Sequence, residues 1–436
     1  MTRTGEPLDM KEHMPGPEAA ARPALLLALA AVASLPFMQA FSVNVGFPLK
    51  IYEIAIILWS AVAIITLQMP VFNKRFFLTG LLFFLYAAAA LLINVQILGK
   101  EGSYSYLARF TPILDGLLKS GYVLLCVLGF NLFAYAAALD PARAVRAWYW
   151  GAGASAAIQI LLFLLSAAGL PLPPLPGMVL EPPPNLQFID FMGMFLYRAG
   201  TFLEGNYAGP FFVLSFLIAL ADRRNVLAGF FLLAAATTFS TSAFAGLAGA
   251  FVYLLLTKKK QPSVYILAAA ITAAMFFSWS FFEAIIIEKL SGAKSTDSLV
   301  DRMNTFLSAA QMFAGNIVLG VGLGQYGFHA FDYTDWVQRS LGPWFMDTRT
   351  KTIANNVYAE LASELGLLGL VFFYMFVSPI VRMALKISEP AIKAGFVAIA
   401  IFWIAAPTFT IMYYWAFAGL ACGIAYYRGE GKPSAA

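Results

Sequence analysis

Apolar runs of about 20 residues recur along nearly the whole chain, the length a helix needs to cross a hydrocarbon core. They fall near 24–42, 51–72, 76–97, 112–138, 147–168, 206–221, 226–240, 242–257, 263–283, 357–378, 394–408 and 411–427. With 61% hydrophobic and 12% charged residues, the 436-residue chain holds more apolar surface than a soluble core of that size buries. The runs are continuous rather than short and alternating, which predicts helices and not a barrel. The expected fold is an all-α polytopic membrane protein with about twelve transmembrane helices. Residues 24–42 contain an Ala-Val-Ala stretch at 31–33, but the segment before them is long and carries acidic residues, so they read as a retained first span rather than a cleaved signal.

Lys and Arg beside the short loops set the orientation. Lys74 and Arg75, Arg143 and Arg146, Arg223 and Arg224, Lys258 to Lys260, Arg382 with Lys386 and Lys393, and Arg428 with Lys432 all fall on one side when both termini are cytoplasmic. The expected organisation is a tail at 1–22, nine helices over 23–283, a large outer segment at 284–356, three helices over 357–428 and a tail at 429–436. Segments 98–111, 170–205 and 284–356 then lie outside. Irregular backbone is not tolerated in contact with lipid, so 284–356 should fold as a cap over the helices. In 170–205 the prolines of PLPPLPG and EPPPN favour extended backbone, and the aromatic LQFIDFMGMFLYR suits a membrane interface. The hydroxyls of TTFSTS, at 237–242, suit a tight reversal. No internal repeat of the kind that marks many transporters is evident.

Cys126 and Cys422 sit inside apolar runs as small packing residues, and His13 and His329 are the only histidines. That composition offers almost nothing from which to build a zinc or haem site, so no metal or cofactor is expected and no nucleic acid is implicated. Chemistry is instead sought at the outer ends. Arg198 precedes a span and is followed by a Gly-Thr turn, Glu204, Asn206 and Gly209. Two readings fit it: a planar fork for the oxygens of a diphosphate, and an interfacial cation for lipid headgroups. In the long segment an amphipathic helix should start near Asp301 and carry Arg302, followed by the Gly-rich GVGLG at 320–324. Without a strand–helix context this is a turn for close backbone approach rather than a nucleotide loop. His329 fits a general base or a structural histidine. In NNVYAELASELGLLGL, 355–370, Asn355 and Asn356 suit a helix start, and Asn356, Glu360 and Glu364 share a face at i, i+4 and i+8. Carboxylates at membrane depth should point inward, although a place near the positive end of a helix dipole accounts for them without a substrate.

Three segments together resemble the O-antigen ligase and polymerase family of bacterial envelope glycosyltransferases. RAGTFLEGN, 198–206, looks like the family's segment of Arg, Gly-Thr-Phe and Asn; MFAGNIVLGVGLGQY, 312–326, like its Gly-rich turn; and NNVYAELASELGLLGL like its His-Asn-x-Tyr helix, with Tyr358 at the tyrosine. Gly209 also follows Arg198 after ten residues, a spacing described for polymerases. The resemblance implies a GT-C-like architecture and a metal-independent glycosyltransferase in the bacterial inner membrane that works on the periplasmic face. Its donor would be an undecaprenyl-diphosphate-linked oligosaccharide, with membrane lipids, a flippase and a chain-length regulator as partners. It assigns the diphosphate to Arg198; beyond what it assigns, Arg302 is nominated as a second cation for the phosphate, Glu360, His329, Asn355 or Asn356 for catalysis, and Glu204, Asn206 and Tyr358 for support. Two departures stand out: Asn355 replaces the histidine that heads the ligase motif, and STSAFAG, 240–246, lacks the Ser-Arg of many members. They favour a polymerase of O-antigen or exopolysaccharide repeat units over a ligase to lipid A core. A polytopic transporter or flippase is the reading from another class.

Overall fold

The computed structural model describes residues 21–38, 40–44, 48–65, 71–108, 110–175, 187–191, 193–257, 293–334 and 351–430. Helices dominate them, and several helix starts follow directly from the sequence. Asn73, Thr111, Asp140 and Asn356 each accept a hydrogen bond from the backbone N–H three residues on. Pro112 and Pro141 fill first-turn positions, where a missing N–H costs nothing. The helices are α1 (Ala21–Ser34), α2 (Ile51–Ile65), α3 (Lys74–Leu92, continued by a π turn Ile93–Ile97), α4 (Pro112–Leu139), α5 (Pro141–Ala167), α6 (Gly205–Ala221), α7 (Asn225–Thr237), α8 (Thr241–Thr257), α9 (Ala293–Gly315), α10 (Val357–Lys386), α11 (Pro390–Phe402) and α12 (Met412–Tyr427). Lys74–Ile97, α4, α5 and α10 are long and apolar enough to cross a membrane, and shorter apolar helices pack with them. The chain is an all-α polytopic membrane protein, as its hydropathy predicts. The expected span at 263–283 lies outside the described residues, as do 284–292 and 335–350 of the expected cap.

Some boundaries differ from the sequence reading. The first helix ends at Ser34 instead of running to 42, because Pro36 disfavours helical backbone before it; a small hairpin, β1 (Val43–Asn44) with β2 (Pro48–Leu49), follows. The helix carrying Arg302 begins at Ala293, not near Asp301. The aromatic stretch of 170–205 is an antiparallel hairpin, β3 (Phe188–Phe191) with β4 (Met194–Tyr197), pairing Phe188 with Tyr197 and Phe191 with Met194. Cross-strand aromatic contacts of this kind stabilise a short ladder, and the Phe188 and Tyr197 rings meet edge to face at 5.2 Å.

The core runs along α4 and α12, whose small residues allow close approach. A side chain at Gly419 would press within 2.7 Å of the Phe130 carbonyl oxygen, and Cys126 and Cys422 are fully buried there. Outward-facing Ile57, Leu58, Leu78, Leu82, Leu161 and Leu164 present apolar surface to lipid. The turn between α7 and α8 behaves as its hydroxyls predict. Thr237 and Thr238 donate to the carbonyls of Ala234 and Ala235, and Ser240 accepts from the Ala243 N–H.

One irregularity positions the candidate site. α10 is broken at Gly366, whose φ of 64° and ψ of −167° interrupt the helical ladder. The Gly-rich turn takes over the missing bonds. Val321 and Gly322 donate to the carbonyls of Ser363 and Glu364, and Leu367 and Leu368 donate to Ile317 and Val318. Broken backbone is thus satisfied within the protein, as a membrane environment demands. Gly320, at φ 65°, leaves no room for a β-carbon against the Glu364 backbone, which confirms the reading of GVGLG as a close-approach turn. Gly320→Ala should therefore lose about 1–3 kcal/mol of stability. The thermal midpoint of the purified protein should fall clearly below that of Gly121→Ala, a position open on all sides. Equal midpoints would contradict the account.

Candidate active site

Arg198 is placed by the β3–β4 hairpin and by a buried turn. Its N–H donates to the Gln187 carbonyl at 2.8 Å, extending the ladder by one residue. Ala199, Thr201 and Phe202 then plunge fully into the bundle. The Thr201 hydroxyl donates to the Pro36 carbonyl at 2.7 Å and pairs with Ser155, while Gly200 takes φ 58° against Gln159. The chain returns at Glu204, just before α6. A side chain at Gly205 would stand 2.5 Å from the Thr238 carbonyl oxygen and 3.2 Å from Arg198 Cδ, so the arginine stem crosses the start of α6 where only glycine fits.

Arg302 on α9 and Glu204 lie within electrostatic reach of Arg198, and Asn206 hydrogen-bonds Glu204. Burial lowers the proton affinity of Arg198, Arg302 acts in the same direction, and Glu204 opposes them. Burial raises the pKa of Glu204 while both arginines and Asn206 hold it down. Two cations share one carboxylate here at the positive end of a helix, an arrangement that favours a further anion.

A second cluster joins α4 to α10. Lys119 Nζ is 2.6 Å from Glu360 Oε1 and 2.7 Å from Glu364 Oε2. Both carboxylates are buried, as their expected inward orientation requires. Glu364 also accepts the N–H of Gly324 at 2.9 Å and of Tyr326 at 3.1 Å, which fastens the Gly-rich turn to α10. Glu360 Oε2 is buried next to Thr408 without a well-formed hydrogen bond among the described residues. Beside this cluster Lys351 binds Asp115 at 2.6 Å and the Gly324 carbonyl at 2.7 Å, and its ammonium lies 4.0 Å over the Phe328 ring. Tyr207 on α6 lies within electrostatic reach of Glu204 and of Glu360, one from each cluster. Its carbonyl accepts from the Tyr413 hydroxyl at 2.9 Å.

The remaining sequence candidates are placed otherwise. Asn356 caps α10 through Oδ1, and Asn355 turns into it with φ 53°. Tyr358, 45% exposed, donates to the Ala400 carbonyl at 3.0 Å and stands two residues from Glu360, on the opposite face of the helix. Gly209 packs against Ser240 and Ala243, where a side chain would approach to 2.7 Å, which accounts for a glycine at that spacing. His329 is buried under the 98–108 segment, where the Tyr104 N–H donates to the Phe328 carbonyl and Ser103 binds Asp332. Its Nδ1 is 3.6 Å from Asp332 Oδ2, and the charges that act on it are Asp332 and Lys100, not the arginine cluster. Sequence reasoning passed over Lys119. The signal was present as a lysine two turns inside an apolar span, which needs a buried partner or a function.

Helical membrane architecture with a charged, carboxylate-bearing cluster at one end defines the class. Residues 226–374, about a third of the chain, match the family model described as O-antigen ligase. The match supports membrane glycosyltransferase activity of the O-antigen ligase and polymerase type in general. No curated protein matches the chain. The matched range takes in α7 to α9, the Gly-rich turn and both carboxylates of α10, and stops short of Arg198 and Lys119.

Burial lowers the pKa of His329 from 6.5, partly offset by Asp332. Below pH 6.5 the unfolded chain therefore takes up a proton that the folded protein resists, and stability is lost as pH falls. The thermal midpoint should drop more between pH 7 and pH 5 in the wild type than in His329→Gln. Parallel curves would contradict the buried neutral imidazole.

Proposed function

We propose that the protein polymerises undecaprenyl-diphosphate-linked oligosaccharide repeat units on the periplasmic face of the bacterial inner membrane, with both termini in the cytoplasm. The observation that carries this reading is that Arg198, at the start of α6, has the Arg302 and Glu204 charges within electrostatic reach, while Tyr207 of the same helix is within reach of both Glu204 and Glu360. Arginine forks suit the oxygens of a diphosphate, and they stabilise the charge that develops as it leaves. Glu360 is the general base. A sugar hydroxyl of one repeat unit attacks the anomeric carbon of another chain, the carbon–oxygen bond to the diphosphate breaks, and the hydroxyl proton passes to Glu360. Glu204 and Asn206 orient the arginines, Asn355 and Asn356 set the head of α10, and His329 is the second candidate for the base. Tyr358 supports the helix from its lipid-facing side. No metal or cofactor is invoked. A flippase would supply the substrate and a chain-length regulator would limit the product.

The description of the matching family, O-antigen ligase, favours a second reading, transfer of a finished chain to lipid A core. We prefer the polymerase because Asn355 stands where ligases place histidine and because STSAFAG carries no arginine. In its absence Arg302, within electrostatic reach of Arg198, supplies the second cation. The charged groups gather at one end of the helices rather than at the midplane where transporters bind their cargo, which weighs against a flippase.

Purified protein in proteoliposomes, given lipid-linked repeat units alone, should yield a ladder of longer glycans by mass. Products only when lipid A core is added would replace the polymerase by the ligase. Arg198→Ala should lose at least roughly 100-fold in rate, and Arg198→Lys should recover little because it lacks the planar fork. Wild-type rates in Arg198→Ala would remove the diphosphate role.

A further inference from the structure

Asp115, Lys119 and Tyr122 share one face of α4 at i, i+4 and i+7, and Lys119 alone among them reaches the carboxylates of α10. The two carboxylates it touches are not equivalent. Glu364 has both oxygens engaged by the N–H groups of Gly324 and Tyr326, and its Oε2 also meets Lys119. Glu360 has Oε1 on Lys119 and Oε2 buried without a well-formed bond among the described residues. A buried acceptor left in that state costs stability, and native proteins keep such groups where they are used. Lys119 is in turn fixed from two sides, because Glu364 holds its ammonium at 2.7 Å and is itself tied to the Gly-rich turn. Lys119 is therefore anchored to the turn and can act as a fixed post for Glu360.

We propose that Lys119 is a positioning residue for glycosyl transfer, anchoring Oε1 of Glu360 so that Oε2 is held ready, as a carboxylate, for the acceptor hydroxyl. This rests on Glu360 being the base. In the step, the acceptor oxygen bonds to the anomeric carbon and the electron pair of the broken carbon–oxygen bond leaves with the diphosphate. The hydroxyl proton moves to Glu360 Oε2 and is released only once the product has left, and Lys119 keeps its own protons throughout. Because Oε2 is buried, the hydroxyl that reaches it arrives without its water shell. Besides Lys119, Glu360 is faced by Glu364 on its own helix, by Thr408 after α11 and by Tyr207 on α6. Asp115 and Lys351 pair with each other beside this cluster, with Lys351 within electrostatic reach of Lys119 and Glu364. Lys119 is the cation bonded to Glu360, at 2.6 Å.

The test uses the full chain in proteoliposomes with a lipid-diphosphate oligosaccharide, comparing Lys119→Met and Lys119→Arg in the wild-type and Glu360→Gln backgrounds. Lys119→Met should lower kcat by roughly 100-fold with the donor KM within twofold, and Lys119→Arg should fall between it and the wild type. In the Glu360→Gln background neither change should lower the residual rate further, because Lys119 acts through Glu360. An equal loss in both backgrounds, or no loss in the wild type, overturns the inference. Where Lys119→Met fails to fold, Lys119→Arg at an unchanged thermal midpoint gives the same reading from its two backgrounds. A wild-type rate in Glu360→Gln would instead remove Glu360 as the base and leave the cause distinct.

Discussion

Glu364 is the residue on which this end of the molecule depends. One buried carboxylate accepts from the Lys119 ammonium and from the N–H groups of Gly324 and Tyr326, and so ties α4, α10 and the Gly-rich turn to one point. The tie permits the break at Gly366, since the same turn supplies the backbone partners that a broken helix inside a membrane must find. An isolated carboxylate at that depth would be costly. Paired with a lysine and two backbone donors, it becomes a joint that is strongly destabilising to break on one side only.

The second constraint is the route of the chain through RAGTFLEGN. The β3–β4 ladder delivers Arg198, Thr201 pins the turn to the Pro36 carbonyl, and Gly205 leaves space for the arginine stem across the head of α6. Hairpin, turn and glycine each contribute a different physical element: direction, anchorage and room. The outcome is a cation held partly buried within electrostatic reach of a second cation and of the Glu204 carboxylate. In the proposed reaction these arginines are what the leaving diphosphate meets.

Much of the architecture was legible in the sequence because lipid imposes its own pattern: apolar runs, capping residues such as Asn73 and Asn356, and inward carboxylates at Glu360 and Glu364 are each dictated locally. Less legible were features that arise from contacts between distant segments. The β3–β4 hairpin, read as an interfacial stretch, is set by cross-strand pairing that single-residue hydropathy does not report. His329 and Tyr358 look like their neighbours in a motif, yet the fold turns one under the 98–108 segment and the other toward Ala400. Lys119 belonged to a span that seemed finished by hydropathy alone, and its meaning emerged only when α4 and α10 were placed side by side.

The most direct measurement is an electron cryo-microscopy map of the protein in a lipid nanodisc with an undecaprenyl-diphosphate oligosaccharide bound. The account predicts diphosphate density between Arg198 and Arg302 at the head of α6, with the first sugar on the side of Tyr207 and Glu360. Diphosphate density at Lys351 or Lys119 instead, with the arginines unengaged, would contradict it.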